Sequence, residues 1–279
     1  MFGTIALDID GTITADSRNH TMTPRMVKYL SELVGRGWKI VFITGRSFQA
    51  SHKILRQLTF PYYLAVQNGA SIIEMPSRQV IAKKYLDRSI FETMENICLD
   101  EPTDFIIYAG IEYEDVCYYR PKHFSPKMLT YLQQRIACFK ETWHSIESFD
   151  EMALDSFASV KCFGHYDSAC VLKSKIENSL GLHVPLIRDP FDEAYYVVQA
   201  THAQINKGQA LQDLLTIVGW TGKIIAAGDD LNDIPMLACA DIKIAMATAP
   251  NELLLMADII APPASEEGLI LGLEQAINQ

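Results

Sequence analysis

The sequence is short of positive charge. Its 24 lysines and arginines face 34 aspartates and glutamates, giving a formal net charge of −10 with neutral histidines. That balance argues against a nucleic-acid backbone or an anionic membrane surface as the main partner. An anionic substrate would then need local cations or a metal. No apolar stretch approaches the roughly 20 residues needed to span a bilayer. The N-terminus also lacks a basic region followed by a cleavable apolar segment. The six cysteines, Cys98, Cys117, Cys138, Cys162, Cys170 and Cys239, contain no C-x-x-C pair. Neither a zinc site nor a disulfide framework is indicated, and a reducing cytoplasm is the expected compartment. G-x-G-x-x-G and Walker A sequences are absent, which lowers the case for a dinucleotide enzyme or an NTPase. None of the histidines sits in H-E-x-x-H or similar ligand spacing, so they read as surface or core residues.

What is present is ordinary globular material: 279 residues, 49% hydrophobic and 21% charged, enough for two modest domains. The first 75 residues alternate between strand-like and helix-like periods, which predicts a parallel sheet covered by helices. TIALDI is strand-like. TPRMVKYLSELVGRG carries apolar residues at helical spacing, with Thr23 as N-cap and Pro24 at the first helical position. KIVFIT follows as a buried strand, SFQASHKILRQL as a helix and YYLAV as a third strand ending at QNGA. SIIEM and QVIAKK, separated by PSR, predict a hairpin. From about Tyr85 to Glu193 helices alternate with short β runs, FIIYAG, DVCYYR, ASVKCFGHY and VPLIR, and this reads as an inserted α+β domain. From Ala194 the α/β rhythm returns, with a helix opening near Lys207, KIIAAG as a strand, NDIPMLACA as a helix, and KIAMA and DIIA as short strands. The core is therefore discontinuous, residues 1–84 and 194–279, with the insertion at 85–193.

Open α/β sheets build their sites at the C-terminal ends of their strands, and the loops there carry the chemistry. After the first strand comes Asp8-Ile9-Asp10-Gly11-Thr12, after the second Thr44-Gly45-Arg46, and after KIIAAG the run Asp229-Asp230-Leu231-Asn232-Asp233. Lys207 opens the helix before that last strand. Several carboxylates, a hydroxyl and an ammonium form the inventory of a magnesium-dependent phosphoryl transfer. Period-two geometry points Asp8 and Asp10 in a shared direction. Asp8 is placed to attack phosphorus, giving an aspartyl-phosphate, and Asp10 to protonate the leaving alcohol and then deprotonate water. Thr44 would donate to a phosphoryl oxygen, Lys207 would neutralise charge, and Asp229 and Asp233 would hold Mg²⁺. Gly11 and Gly45 would let backbone amides approach the anion. A calcium loop of EF-hand type does not fit, because glycine comes fourth rather than sixth. Arg46 reads equally as a substrate contact or a partner for a nearby acid.

These residues resemble the haloacid dehalogenase superfamily of phosphatases and, within it, the Cof-like type IIB members. DIDGT matches the nucleophile motif at Asp8 and Asp10, TGR the second motif at Thr44, Lys207 the third, and GDDLND the metal motif at Asp229 and Asp233. QNGA around Asn68 and Gly69, and NDIPML continuing into KIAMATAPNELLLMADII, resemble the Cof-like subgroup. Thr248 and Ala249 depart from the glycine and asparagine common in that stretch. The resemblance implies a Rossmann-like core, an α+β cap that sets specificity, and Mg²⁺ bound by Asp8, Asp10, Asp229 and Asp233. Gly11, Thr44, Gly45, Arg46, Lys207 and Asn232 are then expected around the phosphate. The partner is a small phosphorylated metabolite such as a sugar phosphate; oligomeric state is left open. Two other readings stand beside it. One is a hexose phosphomutase, for which Arg120, Lys122, Lys161 and Arg188 are available cations, and the other is a catalytically silent binding protein on the same scaffold.

Overall fold

The computed structural model describes residues 3–15, 21–189 and 191–279. In chain order the first elements are β1 (Gly3–Leu7), α1 (Pro24–Gly35), β2 (Trp38–Ile43), α2 (Phe48–Leu55), β3 (Tyr62–Val66), β4 (Ser71–Met75) and β5 (Gln79–Lys83). There follow β6 (Leu86–Asp87), α3 (Phe91–Cys98), β7 (Ile106–Tyr108), β8 (Cys117–Tyr119), α4 (Pro126–Phe139), β9 (Trp143–Ser145), β10 (Ser156–Phe157), β11 (Ser159–Gly164), α5 (Tyr166–Leu180), β12 (Leu186–Arg188) and β13 (Tyr196–Ala200). The last are α6 (Lys207–Val218), β14 (Lys223–Gly228), α7 (Ile234–Ala238), β15 (Ile242–Met246), α8 (Asn251–Met256), β16 (Ile259–Ala261) and α9 (Gly268–Ile277).

The chain divides into two units, Met1–Arg46, Ser51–Lys83 and Asn206–Gln279 against Ser47–Ala50 and Lys84–Ile205. The first is built on one sheet in the order β16-β15-β14-β1-β2-β3-β4-β5. Neighbours from β16 to β3 run parallel, and β4 and β5 form the antiparallel hairpin expected at that edge. Every residue of β1 is buried, as a strand covered on both faces requires. α1 starts as its sequence dictates: the Thr23 hydroxyl accepts from the Met26 amide and Pro24 occupies the first turn. Its buried face is Met26, Leu30 and Leu33, each contributing about 1.5–3 kcal/mol on leaving water. On the other side Ala210, Leu211 and Leu214 of α6 pack with Met236 and Leu237 of α7 over Ala6, Val41 and Ile43.

The second unit is α+β. Its main sheet runs β12-β13-β11-β7-β8-β9, antiparallel except between β8 and β9. Alternate residues of one strand reach different cores, as period-two geometry demands. Phe105 and Ile107 pack with Met94 and Ile97 of α3 and Leu172 and Ile176 of α5, whereas Ile106 and Tyr108 pack with Met128, Tyr131 and Leu132 of α4.

Two expectations are corrected. The boundary placed between residues 193 and 194 falls after Ile205, because β13 hydrogen-bonds to β11 on one side and β12 on the other and is interior to the second sheet. The helix over SFQASHKILRQL is shorter, ending at Leu55. Among the described residues no helix is long and apolar enough to cross a membrane.

Arg120 shows how the second unit uses charge. It is buried, donates from Nε and Nη2 to the two oxygens of Asp104 at 2.9 and 3.0 Å, and also pairs with Glu95. Its guanidinium lies 4.4 Å from the Phe149 ring centroid. Removing one partner of a buried ion pair leaves the other uncompensated. Arg120→Ala is therefore expected to destabilise the protein by about 3 kcal/mol, read as a lower urea midpoint in the full chain followed by tryptophan fluorescence.

Candidate active site

β1 lies between β14 and β2 at the centre of the first sheet, and the chain connections diverge there, which opens a crevice at the C-terminal strand ends. Asp8 is the first residue beyond β1, and its amide extends the ladder by donating to the Ala227 carbonyl at 3.0 Å. From α6 comes Lys207. That helix begins where it does because the Asn206 side chain accepts from the Gln209 amide at 2.8 Å. A lysine in the first turn opposes the helix dipole, and here two acids offset it. The Lys207 ammonium is 2.6 Å from Asp8 Oδ1 and 2.6 Å from Asp233 Oδ1, with all three side chains buried.

Asp233 is held from the other side too. Its Oδ2 accepts from the amides of Asp229 and Asp230, at 2.9 and 3.1 Å. Asp230 in turn caps the short helix Leu231–Asp233 through the Leu231 amide. The GDDLND loop is thus a capping box that also aims a carboxylate into the site. Asp229 is fixed by Thr12, whose hydroxyl donates to Oδ1 at 3.3 Å. Asp8, Asp229 and Asp233 each place a carboxylate oxygen within 4.8 Å of the others.

The electrostatics follow from this crowding. Burial pushes the Asp8 carboxyl up to about 7; Lys207 opposes the rise and Asp233 and Asp10 add to it. Asp229 is raised well above the carboxylate range, first by burial and then by repulsion from Asp8 and Asp233. Burial would lower the Lys207 ammonium, but Asp233 and Asp8 more than reverse this and hold it raised. Among the described residues three carboxylates thus face one ammonium, which contacts two of them. Fully ionised, the cluster has two uncompensated negative charges, the number a divalent cation supplies, and its hard oxygen donors suit such an ion. The residues fit a bound divalent metal.

The structure separates Asp10 from this cluster. Instead of sharing a ligand with Asp8, Asp10 takes two hydrogen bonds from Arg46, Nε to Oδ2 at 2.6 Å and Nη2 to Oδ1 at 2.5 Å. The Asp10 side chain, expected with Asp8, Asp229 and Asp233 around the metal, lies outside the acid cluster here, with a guanidinium fork on both its oxygens. Arg46 resolves as the partner of an acid. Thr44 is buried, and its hydroxyl oxygen accepts from the Arg46 amide at 3.2 Å, which leaves its own proton to donate. Gly45 sits between them. Gly11 is needed for a different reason from the one expected: its amide donates to the Thr14 carbonyl at 2.8 Å, and its φ of 70° and the Asp229 carboxylate against its α-carbon exclude a side chain. Asn232 donates from Nδ2 to Asn68 Oδ1 at 3.3 Å. Two participants had no role in the sequence reading, Thr12 and Asn68. Both stood in recognised stretches, DIDGT and QNGA, with no function attached.

The family model of haloacid dehalogenase-like hydrolases matches residues 5–273. The chain belongs to that family. It is 23% identical over 271 residues to the pyridoxal phosphate phosphatase YbhA of Escherichia coli, covering 92% of each chain. Its identity to the HMP-PP phosphatase of Serratia proteamaculans is 25% over 256 residues, 91% of this chain and 86% of that one. The subclass IIB sugar phosphatase BT4131 superposes with a TM-score of 0.73 at 19% identity, covering 99% of both chains. That structural match extends the family's fold over both units.

Lys207 is the pivot of the charge balance. Lys207→Met is expected to destabilise the metal-free protein by about 3 kcal/mol, measured by urea unfolding in EDTA. Adding Asp8→Asn to that variant should restore part of the loss, since it removes one of the two stranded carboxylates.

Proposed function

We infer that the chain is a Mg²⁺-dependent phosphatase of small phosphomonoesters that works through an aspartyl-phosphate on Asp8. The observation that carries the reading is the Lys207 ammonium held between Asp8 and Asp233, beside a third buried carboxylate, at the centre of the sheet. Lys207 engages Asp8 Oδ1, which leaves Oδ2 as the attacking atom. Oδ2 forms the bond to phosphorus, and the ester oxygen departs with a proton from Asp10. Water then attacks the phosphoryl group, Asp10 takes its proton, and inorganic phosphate leaves as Asp8 is restored. Thr44 and Lys207 donate to the phosphoryl oxygens. When bound by Asp8, Asp229 and Asp233, Mg²⁺ supplies the positive charge that lets two anions approach and keeps Asp8 ionised.

The Asp10–Arg46 pair adds a condition. A carboxylate accepting from both arms of a guanidinium carries no proton to give, so the pair opens before Asp10 acts as an acid, and Arg46 is then available to the phosphoryl group. Named relatives act on pyridoxal phosphate, on HMP-PP and on sugar phosphates, and this diversity supports the substrate class rather than one member. We assign specificity to the second unit and a cytoplasmic setting to the protein. No observation favours the phosphomutase: of Arg120, Lys122, Lys161 and Arg188, Arg120 is buried against Asp104, Lys161 is buried, and Lys122 and Arg188 lie exposed in weak surface pairs. A silent binding protein would have no use for Asp8 and its paired ammonium.

Hydrolysis of p-nitrophenyl phosphate, with and without Mg²⁺, tests the reading. Wild type should be active only with Mg²⁺, and Asp8→Asn should lose roughly a thousand-fold or more in kcat. Asp8→Asn retaining wild-type turnover would sink it. Asp229→Asn should raise the Mg²⁺ concentration for half-maximal activity about ten- to a hundred-fold and should abolish the rise in Tm that Mg²⁺ gives the wild type.

A further inference from the structure

The turn at residues 67–69, between β3 and β4, has no part in the chemistry above. Its three residues are buried and all left-handed, Gln67 at φ 51°, Asn68 at 59° and Gly69 at 109°. Backbone of this kind is costly outside glycine and tends to persist at functional sites. Its hydrogen bonds show what it holds. The Gln67 amide donates to the Arg46 carbonyl at 2.9 Å and the Asn68 amide to the Thr44 carbonyl at 2.8 Å, so the turn clamps the Thr44–Arg46 loop. A side chain on Gly69 would meet the Ala210 β-carbon at 2.5 Å, so the turn also presses on the helix that Lys207 opens. The Asn68 side-chain oxygen accepts from Asn232 at 3.3 Å. Asn68 therefore touches the loops of two motifs, and its neighbour abuts the helix of a third.

Stability does not account for its carboxamide. Asn68 is buried, yet its Nδ2 has no acceptor among the described residues, and a buried amide with bonds unmade lowers stability. What the side chain does accomplish is to fix Asn232, across 164 residues of chain. We propose that Asn68 is a positioning residue of the phosphoryl site. Its side-chain oxygen orients the Asn232 carboxamide, so that the remaining Asn232 amide hydrogen points to the phosphoryl group, while its main-chain amide anchors Thr44. The proposal rests on the phosphatase reading, in which Asn232 contacts the phosphate.

Asn68→Gly is the informative variant, because glycine keeps the left-handed backbone and the bond to Thr44 and deletes only the carboxamide. It should lower kcat/KM for p-nitrophenyl phosphate about ten-fold. It should also weaken binding of inorganic phosphate in Mg²⁺, measured by calorimetry, by about the same factor. Asn232→Ala should do likewise, and the double variant should be no worse than the poorer single one, the non-additivity expected when one residue acts through the other. Unchanged kinetics and phosphate affinity in Asn68→Gly, or losses that multiply in the double variant, overturn the proposal. A wild type that binds phosphate and hydrolyses nothing defeats the phosphatase reading alone, and the phosphate affinities of the four proteins still decide the role of Asn68. A wild type that binds no phosphate defeats both.

Discussion

The ammonium of Lys207, buried between Asp8 and Asp233 at 2.6 Å from each, is the contact on which the rest of the site depends. Taking an ammonium out of water costs several kcal/mol unless opposite charges meet it in good geometry. The two carboxylates that meet it come from the ends of neighbouring strands, and the lysine from a helix whose start is set by the Asn206 cap. β1 and β14 must therefore lie side by side and α6 must begin at their ends. Burial first, and then repulsion from neighbouring carboxylates, leaves Asp8 and Asp229 with carboxyls pushed upward. A site assembled in this way is short of positive charge, which a divalent cation would supply.

Several residues serve the fold and the chemistry with the same atoms. Asp233 closes its own loop with one oxygen and holds Lys207 with the other, so its loss would loosen the turn and strand the ammonium together. Asp10 and Arg46 form a bidentate pair that, on the proposed mechanism, must open before proton transfer. Their pairing ties the first and second motif loops to each other, which makes the acid's availability a property of two loops rather than of one residue. The left-handed turn at Asn68 carries the converse trade, local backbone strain accepted in exchange for holding the Thr44 loop.

In the second unit the buried guanidinium groups are paired internally. Arg120 is locked to Asp104 and Glu95, Arg135 pairs with Glu141, and Lys122 and Arg188 each face a nearby glutamate. A count of basic residues in this stretch overstates what is available to a ligand, because buried guanidinium groups require partners and take them from within their own unit.

The strands of the first sheet, the hairpin, the α1 cap and the order of the motif loops were legible in the sequence, since each depends on residues a few positions apart. Periodicity, an N-cap and a strand-end acid are local signals. The errors fell where the deciding contacts are distant. β13 reads like the start of a returning core, and only its pairing with β11 and β12 assigns it to the second sheet. Gly11 reads like a phosphate loop, and only Asp229, more than two hundred positions away, explains why a side chain is excluded there. Asp10 and Asp8 look equivalent in DIDGT, yet one faces Arg46 and the other Lys207. The sequence by itself determined which groups stand at the strand ends. Tertiary structure decided which of them share a proton, a cation or a partner, because those energies depend on distance and burial in space, and neither is encoded in spacing along the chain.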